Sequence, residues 1–229
     1  MKDYTVVIPA AGQGKRMNRN INKQFISIGD CPILVWTLKR FEAHASCQAI
    51  VVVVHPDDEK RTRDLVGQYG FQKVTHIVHG GKERQDSIYN GLQYVGSTQY
   101  VMVHDGARPF VCMRILDDLC ASLERYKGVI PAVKVKDTIK FVSEEGVVVG
   151  TLPREQLVAA QTPQAFQTDL LLKAYQFAME NKFLGTDDAS LVEYFGEEVI
   201  YVDGDYDNIK ITTEEDLKIA EKILGKYAL

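Results

Sequence analysis

The stretch Pro9–Met17, PAAGQGKRM, follows the apolar run Tyr4–Ile8 and brings two alanines, two glycines and a Lys–Arg pair to the end of one extended segment. Small residues leave the backbone uncovered. The N–H groups around Gly12 and Gly14 can therefore approach phosphate oxygens or the edge of a base, with Lys15 and Arg16 supplying positive charge beside them. Two phosphate-binding patterns do not fit. A dinucleotide fingerprint needs a third glycine where this chain has Met17, and a P-loop needs Ser or Thr after the lysine, where Arg16 stands. Taken alone, the stretch reads more readily as a tight turn carrying two solvated cations. Its company argues for more: Lys23 in NKQF, GGKERQDS from Gly80 to Ser87, HDGARP from His104 to Pro109, and DNIK ending at Lys210. Phosphoryl and nucleotidyl transfer ask a protein for in-line placement and for cations where charge builds on oxygen. Arg16, Lys23 and Lys210 are candidate cations of that kind. Asp105, set among such groups, reads as a ligand of Mg²⁺, which bridges phosphate oxygens and takes one or two protein carboxylates. Capping the helix after Pro109, or pairing with Arg108, are the structural alternatives for it.

These stretches must be held together by their elements. The chain has 229 residues, 45% hydrophobic and 25% charged, enough for one large α/β domain over 1–229. TVVIPA, AIVVVVH, VTHIVH, QYVMVHD and GVIPAV read as strands. PILVWTLKRFEAH, DDEKRTRDLVGQY, RQDSIYNGLQYV and RILDDLCASLERY carry apolar residues at spacings of three and four and read as helices between them. The unbroken run Ile50–Val54 predicts a strand covered on both faces, hence a doubly wound, mostly parallel sheet, α/β in class. Ligands of such sheets sit at the carboxyl ends of the strands, where the chemical stretches fall.

From Lys136 the alternation breaks. Two extended runs flank the turn SEEG, and no helix-length pattern returns until about Thr168, which predicts a β-hairpin arm over 136–154. TDLLLKAYQFAMEN and DDASLVEYFG follow as helices, EEVIYVDG and NIKI as strands, and a last helix opens at Thr212 and Thr213.

Several function classes are excluded. A net charge of −4 gives no general attraction to nucleic acid or anionic lipid, so a phosphate site must be local. The four cysteines, without a C-x-x-C pair or a set of His partners at zinc-ligand spacing, predict packed, reduced thiols rather than zinc ligands and suit a cytoplasmic protein. No signal-peptide pattern and no run of apolar residues long enough to span a membrane is present. His55, His76, His79 and His104 lack ligand spacing and read as structural hydrogen-bonding groups; Trp36, Leu38 and Phe41 read as a core stripe.

In order, P-A-A-G-x-G-x-R-M, K-Q-F, G-G-x-x-R-x-x-S, H-D-x-A-R-P, K-D-T, T-P-Q, T-D-[DE]-A-S and D-N-I-K span nearly the whole chain. Together they resemble the 2-C-methyl-D-erythritol 4-phosphate cytidylyltransferases of the non-mevalonate isoprenoid pathway, with a Rossmann-like nucleotidyltransferase fold. The resemblance implies attack of the substrate's phosphate on the α-phosphorus of CTP, with release of pyrophosphate. It implies that Arg16 and Lys23 hold the triphosphate with Lys15 in support, that Lys210 bridges the α-phosphate and the incoming phosphate, and that Asp105 serves acceptor and metal. Pro9, Ala10, Ala11, Gly12, Gly14, Gly81 and Ser87 would form the nucleotide slot, Lys82 contributing backbone only, while Arg84 braces the loop. Thr138 and Arg154, from the arm of a neighbouring subunit in a homodimer, would grip the polyol phosphate, with Arg108, Thr162 and Thr186 nearby. Ribitol-5-phosphate cytidylyltransferases share most of these motifs but open with LAGG in place of PAAG. A sugar-nucleotide pyrophosphorylase would carry a different loop and a longer chain, and a nucleotide-sensing module would not need all four of Arg16, Lys23, Asp105 and Lys210.

Overall fold

The computed structural model describes residues 3–12 and 22–227. Its centre is a sheet in which β1 (Tyr4–Pro9) lies between β4 (Cys47–Val54) and β6 (Tyr100–Val103), with β5 (Val74–His79) outside β4, all parallel. Alternate residues of β1 face opposite ways. Tyr4, Val6 and Ile8 pack with α1 (Ile33–Ala43) and α4 (Met113–Ser122), whereas Val7 packs with α3 (Arg84–Leu92), α5 (Thr168–Glu180) and α6 (Asp188–Tyr194). Burial on both faces is why Ile50–Val54 contains no polar residue. The sheet and α3 approach so closely that a Cβ on Gly91 would come within 2.6 Å of Val7 and 2.7 Å of Val53. α2 (Glu59–Tyr69) joins β4 to β5 and ends on Gly70 at φ +69°.

Beyond β6 the sheet departs from the expected pattern. β11 (Gln164–Gln167) inserts antiparallel between β6 and β7 (Gly128–Lys134), and β10 (Val158–Ala160) pairs antiparallel with the far end of β7. Neither strand was legible in the sequence, because each is too short to show alternation and the two are separated by Gln161–Pro163. β12 (Ile200–Asp203) pairs parallel with β7. NIKI, read above as a strand, is instead a loop: the Ile211 amide donates to Ala107 O and the Asn208 side chain to Thr162 O. β2 (Ser27–Ile28) and β3 (Cys31–Pro32) form a small ribbon turning on Gly29. The final helix α7 (Glu214–Tyr227) begins as expected, with Asp216 accepting from the Thr212 and Thr213 amides.

The arm is the hairpin β8 (Lys140–Val142) and β9 (Val148–Thr151), closed by a turn with Gly146 at φ +81°. It does not fold back on the core. Phe141 is 63% exposed, and Val147, Val148 and Val149 are more than half exposed. At its base Arg154 donates to Lys136 O, and the Lys136 ammonium sits 3.8 Å from the Tyr206 ring centre. Among the described residues no helix is long and apolar enough to cross a membrane.

Candidate active site

The loops after β1, β5 and β6 meet over the carboxyl ends of the parallel strands around a cavity of about 320 Å³. Pro9, Ala11 and Gly12 form one wall, Gly81 to Arg84 with Ser87 another, and Asp105 to Ala107 the floor; Lys23, Gln24 and Lys210 close the rim. Gly14, Lys15 and Arg16 lie outside the described residues.

The β5–α3 loop is held from within. Ser87 Oγ accepts from the Gly81 amide and donates to Glu83 O, while Glu83 and Asp86 cap the first turn of α3 reciprocally. A Cβ on Gly80 would come 2.6 Å from Ala11 Cβ, so the two loops touch only because that residue is glycine. The Gly81 amide, expected to face the base, is thus engaged inside its own loop, as is the buried Ser87 hydroxyl. Ala10 is likewise tied down, its amide donating to Val53 O. Ala11, Gly12, Gly81 and Lys82 line the cavity beside these bonds.

Asp105 is the electrostatic centre. Its Oδ2 accepts from Lys210 Nζ at 2.8 Å and its Oδ1 from Arg84 Nε at 3.2 Å, and Arg108 Nε lies 3.9 Å away. Burial alone would raise its pKa. Arg84, Lys210 and Arg108 reverse that and hold it well below the usual carboxylate range, so it is ionised at any working pH. Pairing with Arg108 is therefore present, but it is the longest of the three contacts: Lys210 and Arg84, both lining the cavity, hold the carboxylate more closely.

The loop carrying Asp105 is set by a directional chain of hydrogen bonds. His104 Nε2 lies 2.9 Å from Arg108 O, which can only accept, so Nε2 carries the proton. Nδ1 is then the acceptor for the Thr162 hydroxyl at 3.1 Å, and that hydroxyl in turn accepts from the Asp105 amide. The Thr162 hydroxyl thus uses its proton and one lone pair to hold this loop. Burial drives the His104 pKa from 6.5 down to about 4, which keeps the ring neutral. The unfolded chain binds this proton at higher pH than the folded one, so stability is intact above about pH 6.5 and is lost as pH falls toward 4. That loss is on the order of 3 kcal/mol by linkage. Urea unfolding at pH 7 and 4.5 is expected to show it; His104→Asn, less stable throughout, is expected to flatten the slope, and an unchanged slope would disprove the assignment.

The remaining candidates spread out. Lys23 Nζ donates to Ile211 O at the rim. Arg108 Nη1 donates to Asn208 O, bracing the segment that carries Lys210. Thr186 is exposed and lines a separate small cavity with Gln85 and Leu184. Thr138 and Arg154 stay on the arm, outside the lining of the main cavity of their own chain. Sequence reasoning missed Gln24, Glu83 and Ala107 as lining residues and missed Asp188, the buried partner of Arg84 at 2.8 Å. Asp188 stood in plain view in T-D-[DE]-A-S, but nothing local distinguished a partner of Arg84 from a helix cap.

A doubly wound sheet whose rim gathers uncovered backbone, lysines and one ionised carboxylate around a nucleotide-sized cavity defines a nucleotidyltransferase. The family model for 2-C-methyl-D-erythritol 4-phosphate cytidylyltransferase matches residues 4–226, and the chain belongs to that family. It is 51% identical over 221 residues to the cytidylyltransferase of that name from Bacillus mycoides, covering 96% of this chain and 97% of the relative. It is 49% identical over 224 residues to the one from Geobacillus thermodenitrificans, covering 97% of each. Among solved structures, the 4-diphosphocytidyl-2C-methyl-D-erythritol synthase of Anaerococcus prevotii superposes with a TM-score of 0.86 at 33% identity, over 98% of this chain and 96% of that one. The enzyme from Thermus thermophilus superposes at 0.79 with 31% identity, over 97% and 98%.

Proposed function

We propose that this chain transfers the cytidylyl group of CTP to 2-C-methyl-D-erythritol 4-phosphate, giving 4-diphosphocytidyl-2-C-methyl-D-erythritol and pyrophosphate. The observation that carries the assignment of roles is the meeting of Lys23, Lys210 and Asp105 on one cavity. The acceptor phosphate attacks the α-phosphorus. Lys210 stabilises charge building on the equatorial oxygens, while Lys23 and Arg16 take the departing pyrophosphate. Among the described residues no group of three or more His, Cys, Asp or Glu could hold a metal by itself. Asp105 offers one carboxylate, which fits an ion such as Mg²⁺ that draws most of its ligands from phosphates and water. Such an ion would neutralise charge between the phosphates.

The arm supports a homodimer with shared sites. Burying a side chain such as Phe141 or Val148 is worth roughly 1.5–3 kcal/mol, so leaving several in water on one hairpin is costly unless a second copy covers them. In that reading Thr138 and Arg154 reach the partner's acceptor phosphate.

The test of the reaction is pyrophosphate release from CTP and Mg²⁺ with methylerythritol phosphate or ribitol 5-phosphate. Methylerythritol phosphate is expected to be the better acceptor, and CTP to exceed ATP by at least about 10²-fold, because a mismatched base edge leaves buried donors and acceptors unpaired. Comparable rates with ATP would end this reading, and preference for ribitol 5-phosphate would redirect it.

A further inference from the structure

Asp188 opens α6 with its side chain wholly buried, and neither it nor Tyr175 lines the main cavity. Its carboxylate is nonetheless fully engaged: Oδ1 accepts from the Tyr175 hydroxyl and Oδ2 from Arg84 Nη2 at 2.8 Å. A charge kept out of water persists only with partners of this strength. Burial, reinforced by Asp188, lifts the Tyr175 pKa far above its ordinary value, so its hydroxyl remains a donor at every working pH. Burial would lower the Arg84 pKa, but Asp188 and Asp105 more than reverse it.

One guanidinium thus joins a carboxylate outside the cavity to the carboxylate on its floor. Arg84 places Nη2 on Asp188 and Nε on Asp105 Oδ1, and Asp105 Oδ2 is left to Lys210 on the cavity rim. The charges follow the same logic. Were Asp188 absent, Arg84, Lys210 and Arg108 would all compete for the single negative charge of Asp105; with Asp188 present, Arg84 is already matched. We infer that Asp188 and Tyr175 are positioning residues for the transfer: they hold Arg84 in a fork that orients Asp105 and leaves its charge available to groups in the cavity. The inference rests on the reaction assigned above.

Two substitutions test it in steady-state pyrophosphate release. Asp188→Asn keeps the shape and removes the charge, and Tyr175→Phe removes one hydroxyl. If the pair acts through Arg84, Asp188→Asn lowers kcat by roughly tenfold or more with KM for CTP within about threefold, and Tyr175→Phe lowers kcat by about threefold. In the Asp188→Asn background the Tyr175→Phe loss shrinks toward nothing, since its only route is gone. Folded variants with wild-type kcat, a lowered Tm with kcat unchanged below it, or independent losses in the double variant would each overturn the inference. If Asp188→Asn does not fold, kcat of Tyr175→Phe decides alone. A wild-type chain inactive with both polyol phosphates would instead remove the reaction and the inference with it, whereas an active wild type with indifferent variants removes the inference only.

Discussion

Lys210→Ala is expected to lower kcat by about 10²-fold or more while the protein stays folded, the scale on which single charge-stabilising donors act in transfer reactions. Both halves of that expectation come from the same contact. Lys210 Nζ lies 2.8 Å from Asp105, and its side chain is 38% exposed on the cavity rim. Losing it opens no hole in the core, and Asp105 keeps Arg84 and Arg108 as partners, so no buried charge is stranded. What disappears is the cation placed where the α-phosphate and the acceptor would meet. KM for CTP is expected to change less than kcat, because an interaction made in the transition state weighs on turnover. A folded Lys210→Ala enzyme with kcat within about threefold of wild type would remove Lys210 from the chemistry.

The second large effect is a recovery. If the arm completes a neighbour's site, an Arg154→Ala subunit retains its own cavity and spoils its partner's acceptor site; a Lys210→Ala subunit does the reverse. Arg154→Ala alone is expected to bind CTP normally and to demand far more polyol phosphate, since the lost donor touches only that substrate. Each homodimer is then nearly inactive at low acceptor concentration. In the heterodimer one composite site has an intact arm from one chain and an intact cavity from the other, so mixing, denaturation and refolding together should restore activity. Verified heterodimers that remain inactive would return Arg154 to its own chain's site. A monomer in sedimentation at assay concentrations would remove the shared site outright, and would leave the exposure of Phe141 and the neighbouring valines unexplained.

Much of this protein is legible without coordinates where the information is local. The run Ile50–Val54 is apolar because both faces of its strand are covered, and that pattern alone implies a doubly wound sheet with its functional loops on one rim. The turn at Gly146 and the apolar runs beside it mark a hairpin, and the ordered motifs are specific enough to indicate the family. Periodicity did fail at β10 and β11, whose place is set by pairing with β7 and not by any alternation of their own, and at NIKI, whose backbone bonds to a loop 104 residues away between Ala107 and Ile211.

What only the tertiary structure decided is how each polar group is used. Ser87 and Thr162 carry hydroxyls that suit a ligand, and the fold gives each a second task, bonding the loop around it; Arg84 was read as a brace, and its partners, Asp105 and Asp188, come from elements that packing alone brings within reach. A side chain's chemistry is written in its identity, but whether its donors face a ligand or the protein depends on which distant atoms the fold sets about 3 Å away, and no pattern of neighbours along the chain contains that distance.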